Sequence, residues 1–432
     1  MSKHKFIEPE FLGRFDRLPE RERMFYKIKD IFGALSSFYG FETITPSIIE
    51  ETRAILPLQR AGVFERPMAA CKISSGTDFV LRPSGALGIL RAYIRHKMND
   101  LPHPLKFLFM GETFAGVKGS DSLRSFYEGG LCMIGEEGPI AEAEIIQIIW
   151  KLFGKAGIDV TRLNTRLNTT GCNECRASFR APYLAYLRPR AYRLCKTCKH
   201  DFKKNQTKVL SCQEDSCKQM TQNAPQVLDY ICEVCKKHLR GVLEFLDEMK
   251  IPYTLDSKFF KDGTLYGTLV FDIVMSPSAG IEEAEVKEGP RIIAEGGRMS
   301  KVGEILIGRR LDVASAAFDF NTLADVLVQG NAFGPEKPKV YLAQLGDLAK
   351  RKSLELLEAL RAGDISVYES LGRDSVKSQL NVAERVGAQM ALILGQKEAL
   401  DNTIIVREIA SGIQETIAQE KLVEFLKRKL KK

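Results

Sequence analysis

Leu81-Arg-Pro-Ser-Gly-Ala-Leu-Gly-Ile-Leu-Arg-Ala-Tyr-Ile-Arg-His-Lys-Met98, continued by KFLFMGETF at 106–114, carries the pattern that decides the fold of this 432-residue chain. Residues 78–81 and 105–110 read as strands, and 86–98 between them follow a helical period. Upstream, Met24, Ile28, Ile31, Phe32, Leu35 and Phe38 recur among charged residues, as in an amphipathic helix over 19–39. Gly40 follows where a left-handed cap is wanted, and 41–46 alternate like a short strand ended by Pro46. Downstream, 139–154 form a long apolar helix, and 236–248 and 251–255 a helix and a strand. Strand-like runs return at 268–275 and 304–309, followed by helical patterning at 311–327.

Residues 329–338, rich in Gly, Pro and Asn, read as a linker. Beyond them VYLAQL, a helix at 346–362, ISVYE, a helix at 374–386, MALILG and a hairpin predict a compact, mostly parallel α/β domain. The length alone predicts two to three domains. The composition, 44% hydrophobic and 27% charged, is that of a globular protein. No run approaches the roughly 20 apolar residues of a spanning helix, so no membrane partner is expected. The opening MSKHKFIEPEFLGRF lacks the pattern of a secretory signal, which makes a cytoplasmic location the expectation. A net charge of +8 suits either a nucleic-acid partner or a solvated basic surface.

Eight of the ten cysteines fall in four pairs: Cys172 and Cys175, Cys195 and Cys198, Cys212 and Cys217, Cys232 and Cys235. Two thiolates on one tight turn can meet one tetrahedral ion, and two such turns complete a closed structural zinc site. Eight ligands predict two structural zinc ions, with the partnering of the pairs left open. The metal is expected to stand in for a hydrophobic core that 161–235 does not build. Cys71 and Cys132 read as core residues.

Three segments together resemble the histidyl-tRNA synthetase family of class II aminoacyl-tRNA synthetases. They are the 81–114 stretch, which looks like the approach to motif 2; Asn168-Thr-Thr-Gly171 through the cysteine pairs to Asp229-Tyr-Ile-Cys232; and Leu371-Gly-Arg-Asp-Ser-Val-Lys-Ser-Gln-Leu-Asn-Val-Ala-Glu-Arg-Val-Gly-Ala388. The resemblance implies an α/β chain with an α+β catalytic core: an antiparallel sheet flanked by helices, a cysteine-rich inserted domain and a C-terminal α/β anticodon-binding domain. The domains are then 1–160 and 241–328 for the core, 161–240 for the zinc-binding insertion, 329–338 for the linker and 339–432 for the anticodon-binding domain. Pro46 stands at the family's interface proline, implying a homodimer. Arg373, Lys377 and Gln379 match the region that implies tRNA contact.

The family's reaction, adenylation of histidine with ATP and magnesium followed by transfer to tRNA, needs fixed cations on the α-phosphate. Arg82, Gly85, Arg124, Glu128, Tyr266 and Arg298 are candidates to line the pocket, together with Ser84 and Lys261. Yet Ser84 replaces the family's acidic residue, Ala115 and Asn321 replace two arginines, and Lys261 replaces a third. No catalytic residue is assigned. The expectation is a tRNA-binding, synthetase-like protein with adenylation weak or lost, for which another synthetase is an alternative partner. An active histidine–tRNA ligase, using ATP and magnesium, is the second reading. A regulatory subunit for a histidine-biosynthesis enzyme is the third.

Overall fold

The computed structural model describes residues 16–61, 63, 67–72, 78–116, 123–202, 206–212, 214–260, 265–276, 290–329, 338–369 and 375–430. The chain divides into two compact units, Met1–Phe333 and Gly334–Lys432. Strands of the first unit are β1 (Glu42–Thr43), β2 (Ile49–Glu51), β3 (Ala70–Lys72), β4 (Asp78–Leu81), β5 (Leu105–Gly116) and β6 (Leu123–Ile134). They continue with β7 (Leu163–Thr169), β8 (Tyr253–Leu255), β9 (Leu269–Met275), β10 (Arg291–Arg298) and β11 (Val313–Asp319). Eight of these form one sheet in the order β1-β5-β6-β11-β10-β9-β7-β8. Its pairings are antiparallel except at the edges, where β1 runs parallel to β5 and β8 parallel to β7. Strands β2, β4 and β3 make a small second sheet.

The period-2 alternation of the central strands feeds a separate core on each face. Leu108, Leu131 and Met133 join helices Pro19–Phe38, Ile140–Lys155 and Glu233–Glu248 on one side. Phe107, Phe109, Cys132 and Ile134 pack under helix Gly85–Arg95 on the other. Cys132 is thus a core residue, whereas Cys71 is half-buried. Gly40 does end the first helix region with a left-handed φ of 78°.

Several local expectations are corrected. Residues 304–309 are not a strand; Ser300–Ile307 is a helix that Gly308 ends in the left-handed region at φ 75°. Residues 313–319, expected to be helical, form a central strand. Alanine favours helix locally, but here small side chains fit between close neighbours: a Cβ on Gly130 would lie 2.9 Å from the Ala316 carbonyl oxygen, and one on Gly296 2.6 Å from the Ala316 Cβ. The expected start of the insertion at 161 also moves, because Leu163–Thr169 pairs with β9 inside the large sheet. Nor does the insertion lack a core. Phe179 and Tyr183 stack, with centroids 5.1 Å apart, among Leu187, Val209, Met220 and Val227.

In the second unit β12 (Val340–Gln344), β13 (Val367–Glu369), β14 (Met390–Leu394), β15 (Thr403–Glu408) and β16 (Gln414–Ala418) form a sheet in the order β13-β12-β14-β15-β16. Its first two pairings are parallel and its last two antiparallel, so the sheet is mixed rather than mostly parallel. Among the described residues no helix is long and apolar enough to cross a membrane.

Candidate active-site cleft and metal centres

The residues quoted first in the sequence build one wall of a cleft on the sheet. Arg82 is 1% exposed, and its guanidinium is spent inside the protein. It donates to the Glu112 carbonyl at 2.6 Å and to the Pro46 carbonyl, and lies 4.6 Å from the Phe109 ring centroid. Its guanidinium therefore clamps the wall, and Arg82 lines a separate cavity of about 640 Å³ with Glu50 and Arg91 rather than this cleft. Ser84 is the buried N-cap of helix Gly85–Arg95. Gly85 admits no side chain, since a Cβ would come within 2.0 Å of the Phe109 ring.

The Gly85 N–H donates to Glu128 Oε1 at 2.9 Å, which places a carboxylate at a helix N-terminus. Glu128 lines a cavity of about 340 Å³ with Pro83, Thr113, Phe126, Glu295 and Asp319. Strand register explains the grouping: Asp319 is directly opposite Glu128, and Ala317, two residues earlier, is opposite Glu295. Burial pushes the Glu128 carboxyl up to about 7, against the Gly85 N–H and the Arg82 charge. Burial, then the Glu295 and Glu128 charges, also hold the Tyr266 phenol well above its usual range; its ring is buried in the core beside the cleft.

Ala115 is buried on β5 directly opposite the exposed Arg124 of β6, so one cation does project from the cleft face of the hairpin. Asn321 turns back, its N–H and its amide donating to Asp319 Oδ1 at 3.1 and 3.2 Å. Arg298 is corrected too. It is 3% exposed and grips Glu142 at 2.7 and 2.6 Å, with further bonds to the carbonyls of Glu136 and Gly138. Lys261 and the 117–122 loop lie outside the described residues. Sequence reasoning missed Glu295 and Asp319. Their signal is the alternation along β10 and β11, which the glycines of β10 and the alanines of β11 obscure in the sequence.

Because its folded-state pKa is raised, Glu128 contributes stability that is full below the ordinary Glu range and is lost as pH rises through about 7. Glu128→Gln removes that dependence. Relative to the variant, the parent loses stability between about pH 5 and 8, by at most about 3 kcal/mol and by less where water enters the cleft. Urea denaturation of both proteins at the two pH values checks this; a constant difference would refute it.

The eight paired cysteines converge as two groups, Cys172, Cys175, Cys232 and Cys235, and Cys195, Cys198, Cys212 and Cys217. Within each group the Sγ atoms all lie within 4.8 Å of one another. The first pair therefore joins the fourth, and the second joins the third. A tetrahedral zinc with bonds of about 2.3 Å sets its sulfurs about 3.8 Å apart. Cys172 and Cys175 stand at 3.4 Å and Cys195 and Cys212 at 3.9 Å, so the donor sets fit such an ion.

Local structure divides the thiols: backbone N–H groups draw Cys195 and Cys232 down, while burial pushes Cys175, Cys198, Cys217 and Cys235 up. Cys172, Cys195 and Cys232 are N-caps of helices Asn173–Leu187, Lys196–Asp201 and Glu233–Glu248, and the second cysteine of each pair sits in the first turn. Unpaired helix N–H groups thus point toward sulfur, as from Cys232 to Cys175 Sγ at 3.1 Å. The Cys235 N–H leads in drawing the Cys232 thiol down to about 7.

In the second unit Lys377 is exposed near the start of helix Val376–Val386, whose N-cap Ser375 accepts from the Ser378 N–H at 3.2 Å. Arg373 lies outside the described residues. Gln379 is corrected: fully buried, it donates to the Gln344 carbonyl at 2.8 Å and accepts from the Gln344 N–H at 3.1 Å. It ties the helix to β12 and presents nothing to a nucleic acid.

A family model described as histidyl-tRNA synthetase matches residues 13–323, and one described as anticodon binding domain matches 339–429. The histidine–tRNA ligase of Thermodesulfovibrio yellowstonii is 28% identical over 420 residues, covering 96% of this chain and 97% of that protein. That of Caldicellulosiruptor bescii is 28% identical over 431 residues, covering 97% and 98%. The crystal structure of apo histidyl-tRNA synthetase from S. aureus superposes with a TM-score of 0.76 at 24% identity, over 95% of this chain and 97% of that one. A structure titled as an ATP phosphoribosyltransferase regulatory subunit/histidyl-tRNA synthetase from Bacillus halodurans shares the fold at 15% identity, with a TM-score of 0.63 over 91% of this chain and all of that one. With the antiparallel core sheet, the cleft upon it and the C-terminal α/β unit all in place, the chain belongs to the histidyl-tRNA synthetase family.

Proposed function

We propose that this chain is a tRNA-binding, histidyl-tRNA synthetase-like protein in which histidine adenylation is weak or lost. The observation that carries the reading is the charge of the cleft. Glu128, Glu295 and Asp319 line it, while uncharged Ala115 and Asn321 stand where the family resemblance expects guanidinium groups. A triphosphate brought there meets carboxylates, with Arg124 at the rim as a cation. Each fixed charge contact to a transition state is worth about 2.7–4 kcal/mol, so losing two slows adenylation by far more than a hundredfold even with partial compensation. Histidine-dependent ATP–pyrophosphate exchange on metal-replete protein tests this. Exchange within tenfold of a full-arginine relative would overturn it.

The second reading, an active histidine–tRNA ligase using ATP and magnesium, draws support from relatives of that name aligned over 96–97% of the chain. The same exchange assay separates the two. For tRNA, the supporting feature is the exposed Lys377 on the anticodon-binding unit, next to Arg373 in sequence order. Replacing both by Ala weakens tRNA binding about tenfold or more in a filter assay at fixed salt, and unchanged affinity would remove this site. The two cysteine groups hold structural zinc in this reading, and Pro46 belongs to a homodimer interface.

A further inference from the structure

Both halves of the first cysteine group lead, by separate routes of a few backbone residues and then hydrogen bonds, to the same pair of residues, Arg298 and Gly267. One chain leaves Cys172 and Cys175 backwards along the strand. Gly171 sits in the left-handed region at φ 64°, where a Cβ would lie 2.3 Å from the Cys175 Cβ, and its N–H donates to Thr169 Oγ1 at 3.0 Å. Thr170 Oγ1 donates to the Gly267 carbonyl at 2.9 Å, and the Gly267 N–H donates to the Arg298 carbonyl at 2.6 Å.

The other chain leaves Cys232 and Cys235 forwards along their helix. One turn past Cys235, His238 Nε2 meets Glu142 Oε1 at 3.0 Å. Glu142 is fully buried and holds the Arg298 guanidinium through both oxygens. The routes therefore close on Arg298 and Gly267, the residues flanking buried Tyr266 and the Gly296-Gly297 end of β10. An ion joining the four sulfurs would complete a ring running through Gly171, Thr170, Gly267, Arg298, Glu142 and His238.

We infer that the metal centre formed by Cys172, Cys175, Cys232 and Cys235 is a positioning device for the cleft, acting through His238 and Glu142 on Arg298 and through Thr170 on Gly267. The second cysteine group lies within the insertion, among Leu194, Val209 and Met220, and among the described residues makes neither connection. The inference rests on the reading of the first group as a zinc site. It does not depend on which ligand occupies the cleft, or on whether adenylation survives.

The test uses the full-length, zinc-replete protein, with metal counted per chain and hydrogen–deuterium exchange followed in peptides covering 265–275 and 291–298. Cys175→Ser removes one ion and speeds exchange in both peptides at least tenfold. Cys198→Ser removes the other ion and leaves those peptides at the parent rate. His238→Leu keeps both ions yet speeds exchange at 291–298, and His238→Gln, which can still donate to Glu142, restores the parent rate. The His238 variants leave the cysteines untouched, so they test the relay to Arg298 even if a cysteine variant fails to fold: 291–298 at the parent rate in His238→Leu would by itself overturn that arm. A parent with no zinc at the first group overturns the inference through its premise. Zinc present, with 265–275 and 291–298 unmoved by Cys175→Ser and by His238→Leu, overturns the coupling itself.

Discussion

Glu142→Leu lowers the unfolding free energy of the first unit by about 3–5 kcal/mol, because it strands a buried guanidinium. Arg298 is 3% exposed and Glu142 fully buried, so neither charge has water to fall back on. After the substitution Arg298 keeps the carbonyls of Glu136 and Gly138 and a more distant Asp312 oxygen at 3.8 Å, which leaves its charge under-compensated. Burial pushes the Glu142 carboxyl up, but hydrogen bonds from His238 and Arg298 outweigh it and the net direction is down. A depressed carboxyl contributes stability above its unfolded range, so this part is lost only as pH falls below the ordinary Glu values. The chain carries its own reporter. Its single tryptophan, Trp150, lies buried in the same helix as Glu142 and donates to Thr165 Oγ1 at 2.8 Å. Urea denaturation followed by its fluorescence gives the shift; a loss below about 1 kcal/mol would show that the pair contributes little.

Metal removal has the larger reach. Structural zinc sites in small peptides bind with roughly 10–16 kcal/mol at neutral pH, and that energy becomes folding energy where no other core suffices. The core of Phe179, Tyr183 and their neighbours is small, so a strong chelator is expected to open residues 172–235 to protease while leaving Gly334–Lys432 protected. A metal assay on the untreated protein should find two zinc ions per chain, one for each cysteine group. Protection of 172–235 after complete metal removal would show that the aromatic core holds the insertion unaided.

The fold was legible where the chain speaks in long periods. The 3.6-residue spacing of Met24, Ile28, Phe32 and Leu35 and the run at 140–155 gave helices that the structure contains. It was least legible where tertiary neighbours overrule propensity. Val313-Ala-Ser-Ala-Ala-Phe-Asp319 has the small side chains of a helix, but they fit between β6 and β10. The cysteine spacing gave candidate ligands, which the structure gathers into two groups able to hold a metal, without giving their partners, since a CxxC turn says nothing about which other turn it meets. The candidate cleft was legible in residue type but not in direction. Arg82, Arg298 and Gln379 each carry polar groups that could serve a ligand, and each turns them inward, toward carbonyls, a buried glutamate and a neighbouring strand. Only packing decides that choice, and one sequence does not print it.

The pairing of the cysteines, outer with outer and inner with inner, works like nested brackets. The inner bracket closes a short span, from Cys195 to Cys217, and can shut as soon as that span leaves the ribosome. The outer bracket, from Cys172 to Cys235, then has a preformed knot inside it and less slack to lose. Its closure matters beyond the insertion, because β7 ends at Thr169 and must find its partner Leu269 on β9 far down the chain. That distant pairing is the kind that slows folding. An ion clasping the neck would shorten that search, so the insertion would serve as a shortcut as well as an ornament, letting the sheet be interrupted mid-assembly and resumed in register.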